Sequence, residues 1–539
     1  MSLSHLALLL LILVLFLHAF LSLRELRHLL HLLQLNSYFS LRYVRCLTRH
    51  LREFFTWPDL EPCLAILGML LRKPHITLII LAIAYLKRLF TLPSIGDKKA
   101  FVVTARIKRL ILANLIVLIG IYTVTLHALL YHPWLRLWYA LFLLITYHFY
   151  QPWLLALINF SLSPLEKTIA NYYLRDAKRK LKELPQLKTI GITGSYGKTS
   201  TKYFTAALLA SQFQTLKTPQ SYNTLMGVTK TIREELRPYH EIFVVEMSAK
   251  QPGDIKQLTD LVNPSYALIT NIGTQHLETF HTLDAICQTK NELFAALPKN
   301  GTAFCNLDDQ KVTELAAKLP TTVRKITYGI ERKSANYTAT DIITTARGCE
   351  FVLSGTAIPS PIPLRTLLLG RHNISNLLGA IAIAHNFGVP LTQIAFILRQ
   401  LPPVPHRLNL LHPAPDITFI DDAFNANPIG STNALEVLAS FEAKRKIIVT
   451  PGLIELGNAE EQANFSLGVK IAQSCNYVIL VGQKQTAAIQ KGLEAENYPK
   501  EQLKIVSDLN TAKIHLSTML TSGDVVLFEN DLPDDYTEN

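Results

Sequence analysis

A short glycine-rich stretch, TGSYGKTST at residues 193–201, constrains the fold of this 539-residue chain more than any other feature. It follows an apolar run at 187–192 that predicts a buried strand, and it precedes residues 203–210, whose apolar spacing is helical. Glycines let backbone N–H groups approach an anion, and a helix N-terminus adds the positive end of its dipole. The stretch therefore predicts a phosphate-binding turn between a strand and a helix.

The spacing inside this loop differs from the usual one. Two residues separate Gly194 from Gly197, whereas a standard phosphate loop has four residues between its first glycine and its Gly-Lys pair. The local pattern alone leaves two interpretations open: a chance match in a strand–helix turn, or a particular subclass of nucleotide site. In the second, Lys198 lies against the β- and γ-phosphates and Thr199 holds Mg²⁺.

Charge and cysteine usage exclude several classes of protein. Residues 1–160 contain 16 of the 53 basic residues but only 5 of the 41 acidic ones, so nearly all of the net charge of +12 lies there. Long apolar runs share this region, which favours membrane topology over nucleic-acid binding. The six cysteines include no Cys-x-x-Cys pair. This excludes a disulfide framework and a zinc site, and it favours a reducing cytoplasm for the soluble part.

The apolar runs of the N-terminal third predict transmembrane helices. Residues 3–23 form an uncharged run of about 20 residues, enough to cross a hydrocarbon core of ~30 Å. Residues 109–131 and 138–160 are two further candidates. The weaker region 62–86 is divided by basic residues at 72 and 73, which leaves a shallow hairpin or one strained span open.

The basic segments between these runs predict the orientation. Residues 24–52 and 87–109 are rich in Lys and Arg, which places both on the cytoplasmic side and favours a hairpin for 62–86. We therefore expect a multi-pass protein of the cell membrane whose soluble part lies in the cytoplasm. The alternative is that these runs are buried helices of a soluble helical domain.

The rest of the chain predicts α/β architecture. Strand-like and helix-like runs alternate, which is typical of a parallel sheet covered by helices, with a ligand site at the carboxyl ends of the strands. A proline-bearing linker at 401–407 precedes four more strand-like runs. We predict a transmembrane helical region at 1–163, an amphipathic connector at 164–186, a central nucleotide-binding domain at 187–401 and a C-terminal Rossmann-like α/β domain at 402–539.

Individual polar residues in these domains each have two interpretations. Glu246 follows a buried strand and is either a Mg²⁺ ligand or a solvated strand end, and His276 is either a metal or phosphate contact or an ordinary satisfied histidine. Lys290 lies in a helical run, where a surface lysine is the default. Asp422 belongs to a polar turn that is often only a helix cap.

An ordered series of motifs resembles that of the Mur ligases. The motifs are TGSYGKTS, SYNTLMGV at 221–228, VVEMSAKQPGDI, ITNIGTQHLETF, the helix containing Lys290, GRHNISNLLGAIAIA at 370–384, and DDAFNANP with PGLIELG. The resemblance covers about residues 187–530 and is strongest to the members that add D-alanyl-D-alanine to a peptidoglycan precursor. It implies a Mur-type P-loop ATPase domain that makes an amide bond. A substrate carboxylate takes the γ-phosphate of ATP as an acyl phosphate, and an incoming amine then displaces phosphate.

The resemblance also implies ATP and Mg²⁺ as cofactors and a role for each matching residue. The implied nucleotide-binding residues are Gly194, Ser195, Gly197, Lys198, Thr199, Ser200, His372, Asn373, Asn376, Arg407 and Asp422. The implied metal ligands are Thr199, Glu246, His276 and Lys290, the last as a carbamate. The implied catalytic residues are Lys198, Lys290, His276 and Asn223, with Asn223 near the γ-phosphate. Closure of the C-terminal domain excludes water from the reactive acyl phosphate.

Two departures from the family leave the substrate open. The membrane third replaces the family's N-terminal domain, which binds the UDP part of the soluble precursor. An acidic stretch, FENDLPDDY at 528–536, stands where the adding enzymes continue with a basic, serine-containing stretch. Together these departures favour a lipid-linked or membrane-proximal precursor over a soluble UDP-linked one. The expected partners are a peptidoglycan precursor, either soluble and UDP-linked or lipid-linked, an amino acid or dipeptide and the bilayer, with no nucleic acid.

Three other functions compete with this one. A membrane-bound synthase of another amide-linked polymer, such as poly-γ-glutamate, shares the ATPase core but lacks a full C-terminal domain, which this chain has from about residue 403. An amidation subunit for lipid-linked precursors has a four-cysteine zinc insertion, and the cysteine spacing here does not supply one. A non-catalytic nucleotide-binding scaffold is disfavoured because the phosphate-loop lysine and the other matching polar residues are intact.

Overall fold

The computed structural model describes residues 5–49, 74–91 and 101–530, apart from residues 37, 132, 274–276, 281, 415, 424, 425 and 455. The chain divides into two compact units between Ala170 and Asn171. Each unit has its own buried apolar cores. The two units are therefore described separately.

The first unit is helical. Its helices are α1 (His5–Leu35), α2 (Ser40–Arg49), α3 (Pro74–Thr91), α4 (Ala105–Tyr131), α5 (Pro133–Ser161) and the beginning of α6 (Ser163–Lys182). Within the described part of the chain, three segments are long and apolar enough to cross a membrane: Leu8–Leu35, Ala105–His127 and Leu141–Ser161. They correspond to the three strong candidates predicted from the sequence, although no bilayer is part of the structure.

Two details of the predicted spans differ from the structure. The first run was expected to end at residue 23, where charged residues begin, but α1 continues to Leu35. The last part of the predicted 62–86 hairpin belongs to α3, which continues to Thr91, while residues 50–73 lie outside the described part. In both cases a helix extends through charged side chains, because those side chains find partners inside the unit.

A buried ion pair supplies those partners. The Arg88 Nε of α3 donates to Glu25 Oε1 of α1 at 3.0 Å, and His148 Nδ1 of α5 lies 3.2 Å from Glu25 Oε2. About two helical turns before Glu25 on α1, His18 Nδ1 lies 2.8 Å from the Tyr122 hydroxyl of α4. Charges inside an apolar bundle are tolerated where they satisfy each other. This cluster therefore fixes how four helices pack.

The second unit begins with a large mixed sheet. Among the described residues, nine strands pair in the order β2-β3-β1-β4-β5-β6-β7-β8-β9, parallel as far as β7 and antiparallel beyond it. The strands are β1 (Lys188–Thr193), β2 (Thr215–Lys217), β3 (Ile242–Glu246), β4 (Tyr266–Ile269), β5 (Thr302–Asn306), β6 (Arg324–Gly329), β7 (Tyr337–Thr345), β8 (Gly348–Ser354) and β9 (Ile362–Thr366). The helices are α7 (Lys198–Leu209), α8 (Leu225–Glu234), α9 (Asp254–Val262), α10 (Leu277–Phe280), α11 (Leu283–Ala295), α12 (Gln310–Ala317), α13 (Arg371–Asn386) and α14 (Leu391–Leu398).

Helices cover both faces of this sheet, which explains its continuous apolar strands. Val244 and Val245 are adjacent in β3 and are both fully buried, but they belong to different cores. Val244 packs in the core that contains Phe204 of α7 and Ile381 of α13, whereas Val245 packs with Leu258 of α9. Successive side chains of a strand point to opposite faces, so a strand buried on both sides needs apolar residues throughout.

A second sheet follows. Among the described residues, six strands pair in the order β10-β11-β15-β12-β13-β14, and all neighbours are parallel except β10 and β11. The strands are β10 (Asn409–Ala414), β11 (Ile417–Asp422), β12 (Arg445–Thr450), β13 (Tyr477–Val481), β14 (Leu503–Val506) and β15 (Asp524–Glu529). The helices are α15 (Pro428–Ala439), α16 (Glu460–Ser474), α17 (Ala487–Ala495) and α18 (Leu509–Met519). The two largely parallel sheets confirm the predicted α/β class.

The buried ion pair of the first unit can be tested for its contribution to stability. Replacing Arg88 by Met leaves the buried Glu25 carboxylate without its cation, and we expect the free energy of unfolding of this unit to fall by about 3–5 kcal/mol. All four tryptophans lie within residues 1–163. Tryptophan fluorescence during chemical unfolding of the full chain in detergent therefore reports on this unit alone.

The control for this variant is Lys87→Met. Lys87 is the exposed neighbour of Arg88 on the same helix. An exposed substitution of this kind changes stability by about 0.5 kcal/mol or less. Equal unfolding midpoints for the two variants would contradict a stabilising role for the ion pair.

Candidate active site

The predicted phosphate loop has the expected geometry. It joins the end of β1 to the first residue of α7, Lys198, and both of its glycines have positive φ, 149° at Gly194 and 76° at Gly197. A Cβ atom on Gly194 would lie 1.9 Å from Thr270 Oγ1, and one on Gly197 would lie 2.2 Å from Asn376 Oδ1. Only glycine fits at either position, so the loop backbone is free to approach an anion.

Neighbouring strand ends hold the loop in place. Ser195 Oγ donates to the Gly273 carbonyl at 3.0 Å, and the Tyr196 N–H donates to Asn271 Oδ1 at 2.8 Å. Lys198 Nζ folds back over the loop, where it donates to the carbonyls of Gly194 and Ser195 at 2.7 and 2.9 Å. Burial lowers the pKa of Lys198 to about 8, against an opposing effect of a nearby carboxylate. The ammonium group is thus held where the phosphates of a nucleotide would lie.

Glu246, the last residue of β3, gathers two of the other predicted residues and one unpredicted lysine around one carboxylate. Its Oε1 accepts from Thr199 Oγ1 at 3.0 Å and from Asn223 Nδ2 at 2.9 Å. Its Oε2 accepts from Lys202 Nζ at 2.9 Å. Burial alone would raise the pKa of Glu246, but Lys202, Asn223 and Lys198 together hold it below its ordinary value. Glu246 is therefore an ionised, buried carboxylate and not a solvated strand end.

Two further candidates differ in what the structure says of them. Lys290 in α11 is 7% exposed, so the default of a surface lysine is wrong. Burial and the neighbouring Lys198 lower its pKa well below the ordinary value, which favours the uncharged amine. His276 lies outside the described residues. The metal-binding roles of Lys290 and His276, including the carbamate, stay predictions.

The three predicted residues of α13 fall into different surroundings. Asn376 lies against the phosphate loop, with its Oδ1 3.3 Å from Thr201 Oγ1. Asn373 is buried and donates to the Leu369 carbonyl at 2.9 Å, so its amide stabilises the beginning of its own helix. Burial lowers the pKa of His372 to about 4, which keeps its ring neutral at physiological pH. Ser200, the remaining loop residue of the predicted set, is buried in the first turn of α7.

Arg407 relates the second sheet to the phosphate loop. Its charge perturbs the pKa of Lys198 and of His372, and it interacts with the carboxylates of Glu246 and Asp422. Asp422, at the end of β11, also accepts from the Leu408 N–H at 3.1 Å. Arg407 is therefore in electrostatic range of Lys198 in the phosphate loop, and Asp422 in range of Arg407. The nucleotide-binding roles of both residues stay predictions.

A second acid lies beside Asp422. Glu529 is its register partner on β15, it is 1% exposed, and it accepts from the Ser431 hydroxyl. Burial and the neighbouring Asp422 raise the pKa of Glu529 well above its ordinary value. Burial raises the pKa of Asp422 to about 6, while Arg407 opposes the rise. The pair therefore retains a proton more readily than two separate carboxylates would.

Sequence reasoning missed two residues of this site, Lys202 and Glu529. Lys202 follows Lys198 by four residues, so the two lysines lie on the same face of α7, and that spacing was an available signal. Glu529 ends a buried strand, as Glu246 does. The same rule that identified Glu246 as a candidate would have identified Glu529.

The oxygen atoms at the loop fit Mg²⁺ and a nucleotide. The Thr199 hydroxyl and Glu246 Oε1 are hard donors, which Mg²⁺ prefers, and they lie within 3.0 Å of each other. Among the described residues, no group of three or more His, Cys, Asp or Glu side chains could hold a metal ion. Two oxygen donors from the chain are compatible with Mg²⁺, which commonly completes its coordination shell with substrate phosphates and water.

Comparison with known proteins gives consistent matches to one family. Residues 192–384 match the Mur ligase middle domain, and residues 406–529 match the Mur ligase glutamate ligase domain. The chain is 32% identical over 340 residues to the UDP-N-acetylmuramoyl-tripeptide–D-alanyl-D-alanine ligase of Escherichia coli (strain K12), covering 62% of this chain and 74% of that one. It is 29% identical over 354 residues to the enzyme of the same name from Bacillus subtilis (strain 168), covering 66% and 75%.

Solved structures agree. The crystal structure of MurF from Acinetobacter baumannii has a TM-score of 0.60 at 28% identity, covering 67% of this chain and 77% of that one. The MurF ligase from Thermotoga maritima in complex with ADP has a TM-score of 0.59 at 24% identity, covering 67% and 80%, and shows the fold alone. Mur ligases are ATP-dependent amide-bond ligases. The two family domains in order, the loop geometry and these relatives together establish that the chain belongs to the Mur ligase family.

Proposed function

We propose that this chain is a membrane-anchored ligase that adds D-alanyl-D-alanine, or a similar amine, to a peptidoglycan precursor. The relatives named for this reaction support the substrate class. The observation that carries the chemistry is the convergence of Thr199, Asn223 and Lys202 on the ionised Glu246 carboxylate, beside the Lys198 ammonium. This arrangement suits binding of a nucleoside triphosphate with its divalent cation.

The reaction can be followed through the chain's own residues. The loop N–H groups and Lys198 bind the phosphates, and Thr199 and Glu246 are the residues that would hold Mg²⁺. When bound, Mg²⁺ would supply charge neutralisation for the transferred phosphoryl group. The precursor's carboxylate oxygen forms a bond to the γ-phosphorus as the bond to ADP breaks. The amine nitrogen then attacks the acyl carbon and gives up a proton. Phosphate leaves together with the bridging oxygen, which came from the precursor's carboxylate.

Membrane attachment is the second part of the proposal. The three long apolar helices and the basic segments between them support a multi-pass protein with its ligase domains in the cytoplasm. We expect the full chain to stay with the membrane fraction after an alkaline carbonate wash, and a variant without residues 1–163 to be released. Release of the full chain by the same wash would contradict membrane insertion.

The membrane third also bears on the precursor. Because an anchored enzyme meets membrane-bound molecules at high local concentration, we propose a lipid-linked or membrane-proximal precursor. The end of the acidic stretch at 531–536 lies outside the described residues, but Glu529 and Asn530 before it are buried.

The central test is release of ADP by the full chain in detergent or vesicles. D-Alanyl-D-alanine and single amino acids are supplied with either the soluble UDP-linked tripeptide or its lipid-linked form. We expect ADP release to require both an amine and a precursor, and to be faster with the lipid-linked form. Replacing Lys198 by Ala removes the ammonium from the phosphates and is expected to lower the rate at least about a hundredfold.

Each result of this assay decides a different part of the proposal. Undiminished turnover in the Lys198→Ala variant would show that the active site has been assigned wrongly. Equal rates with the soluble and lipid-linked precursors would refute the membrane-proximal substrate but not the ligase. Turnover with another amine but none with D-alanyl-D-alanine would change only the proposed amine substrate and leave the rest of the proposal intact.

The acidic pair of the second sheet predicts a pH dependence. Burial raises the pKa of Asp422 to about 6, so its carboxylate takes up a proton as the pH falls through 6 and loses its attraction for Arg407. We expect kcat/KM to decrease below pH 6, approaching tenfold per pH unit. In the Asp422→Asn variant the side chain at this position is uncharged at every pH. We expect this variant to be slow at pH 7.5 and to lack the acid limb. An unchanged acid limb in that variant would assign the pH dependence to another group.

A further inference from the structure

A fully buried lysine lies behind the nucleotide site. Lys202 in α7 is 0% exposed, and its Nζ donates to Glu246 Oε2 at 2.9 Å and to the Gln220 carbonyl at 2.6 Å. Its ammonium also lies 4.9 Å from the centre of the Tyr203 ring. An unpaired charge at such depth would be strongly destabilising, so these contacts are needed for its burial. None of the predicted site roles includes this residue.

The two carboxylate oxygens of Glu246 have different hydrogen-bond partners. Oε2 is taken by Lys202, whereas Oε1 faces Thr199 and Asn223 at 3.0 and 2.9 Å. A carboxylate can rotate, and either oxygen could otherwise turn toward the loop. Because the Lys202 ammonium fixes Oε2, Oε1 is the oxygen that faces Thr199.

Lys202 also holds the segment that carries Asn223. Gln220 has a φ of 39°, a left-handed conformation that is costly for a residue other than glycine and persists only where the surroundings hold it. The hydrogen bond from Lys202 to its carbonyl is one such restraint. Another is the Asn223 carbonyl, which accepts from the Ser248 N–H at 2.9 Å just beyond β3. One ammonium therefore links α7, the end of β3 and the segment at 218–223.

From this geometry we infer that Lys202 is a positioning residue for the metal–nucleotide site. It orients Glu246 so that Oε1 meets the cation beside Thr199, and it fixes the segment that brings Asn223 to the same oxygen. The inference rests on the proposed binding of Mg²⁺ with the nucleotide and adds the residue that organises that binding. A purely structural ion pair would affect folding stability without changing metal affinity in the folded protein.

The test is a Lys202→Met variant of the full chain, which keeps the length of the side chain and removes its charge and donors. Binding of Mn²⁺ in the presence of ADP is followed by electron paramagnetic resonance, which needs no turnover and no knowledge of the substrate. We expect Mn²⁺ affinity to fall about 10- to 100-fold, the usual effect of losing a residue that orients a metal ligand. ADP binding without metal is expected to stay close to that of the unchanged chain.

The matched control is Lys217→Met. Lys217 Nζ lies 5.1 Å from the centre of the same Tyr203 ring, so this variant removes a positive charge nearby and leaves both hydrogen bonds of Lys202 in place. We expect its Mn²⁺ affinity to be unchanged. Amide hydrogen exchange at residues 218–224 is expected to become faster in the Lys202→Met variant only.

Two outcomes overturn the inference. One is a folded Lys202→Met protein that binds Mn²⁺ with ADP as tightly as the unchanged chain, and the other is an equal loss of metal-free ADP binding. If this variant does not fold, Lys202→Gln, which keeps an N–H donor, takes its place under the same criteria. Mn²⁺ binding and ligase turnover are both measured first on the unchanged chain. If that chain binds Mn²⁺ with ADP but shows no turnover, the result counts against the proposed substrates and not against the role of Lys202.

Discussion

The nucleotide site depends on one buried carboxylate. Glu246 is 1% exposed, and an ionised group at that depth is stable only with its lone pairs satisfied. Its donors come from two places, Thr199 and Lys202 on α7 and Asn223 on the segment before α8. Satisfying this charge therefore holds Thr199 and Asn223, the residues proposed to contact the cation and the γ-phosphate, beside the phosphate loop.

The α/β topology makes that convergence possible and repeats it in the second sheet. Parallel strands bring their carboxyl ends to one edge, so Glu246 lies near the loop that follows β1, and Asp422 lies beside Glu529. The two edges differ in their balance of charge. Around Glu246 cations outnumber the acid. Asp422, in contrast, lies between the Arg407 cation and a second acid, and the charged group that acts on Glu529 among the described residues is Asp422. One edge favours an ionised carboxylate and the other favours a retained proton.

Much of this was predictable from the sequence, because local patterns determine strands, glycine turns and the residues that follow them. The phosphate loop and Glu246 were identified in that way, whereas Asn223 was identified only through the resemblance to the Mur ligases. The match of residues 192–384 to the Mur ligase middle domain rules out a chance origin of the loop's shortened spacing. What local pattern could not supply was pairing across the fold. A lysine is expected at the surface until its partner is known, as Lys290 and Lys202 illustrate. Likewise α1 extends past the predicted end of its span because Glu25 meets Arg88 from α3.

The effect of membrane anchoring on a reaction depends on where the reactants are. Tethering an enzyme to a surface raises the effective concentration of reactants confined to that surface, and it gives no such gain for reactants that diffuse freely. ATP and a free dipeptide belong to the second kind. The proposed attachment would therefore give its advantage through the precursor, or through the next reaction that consumes the product.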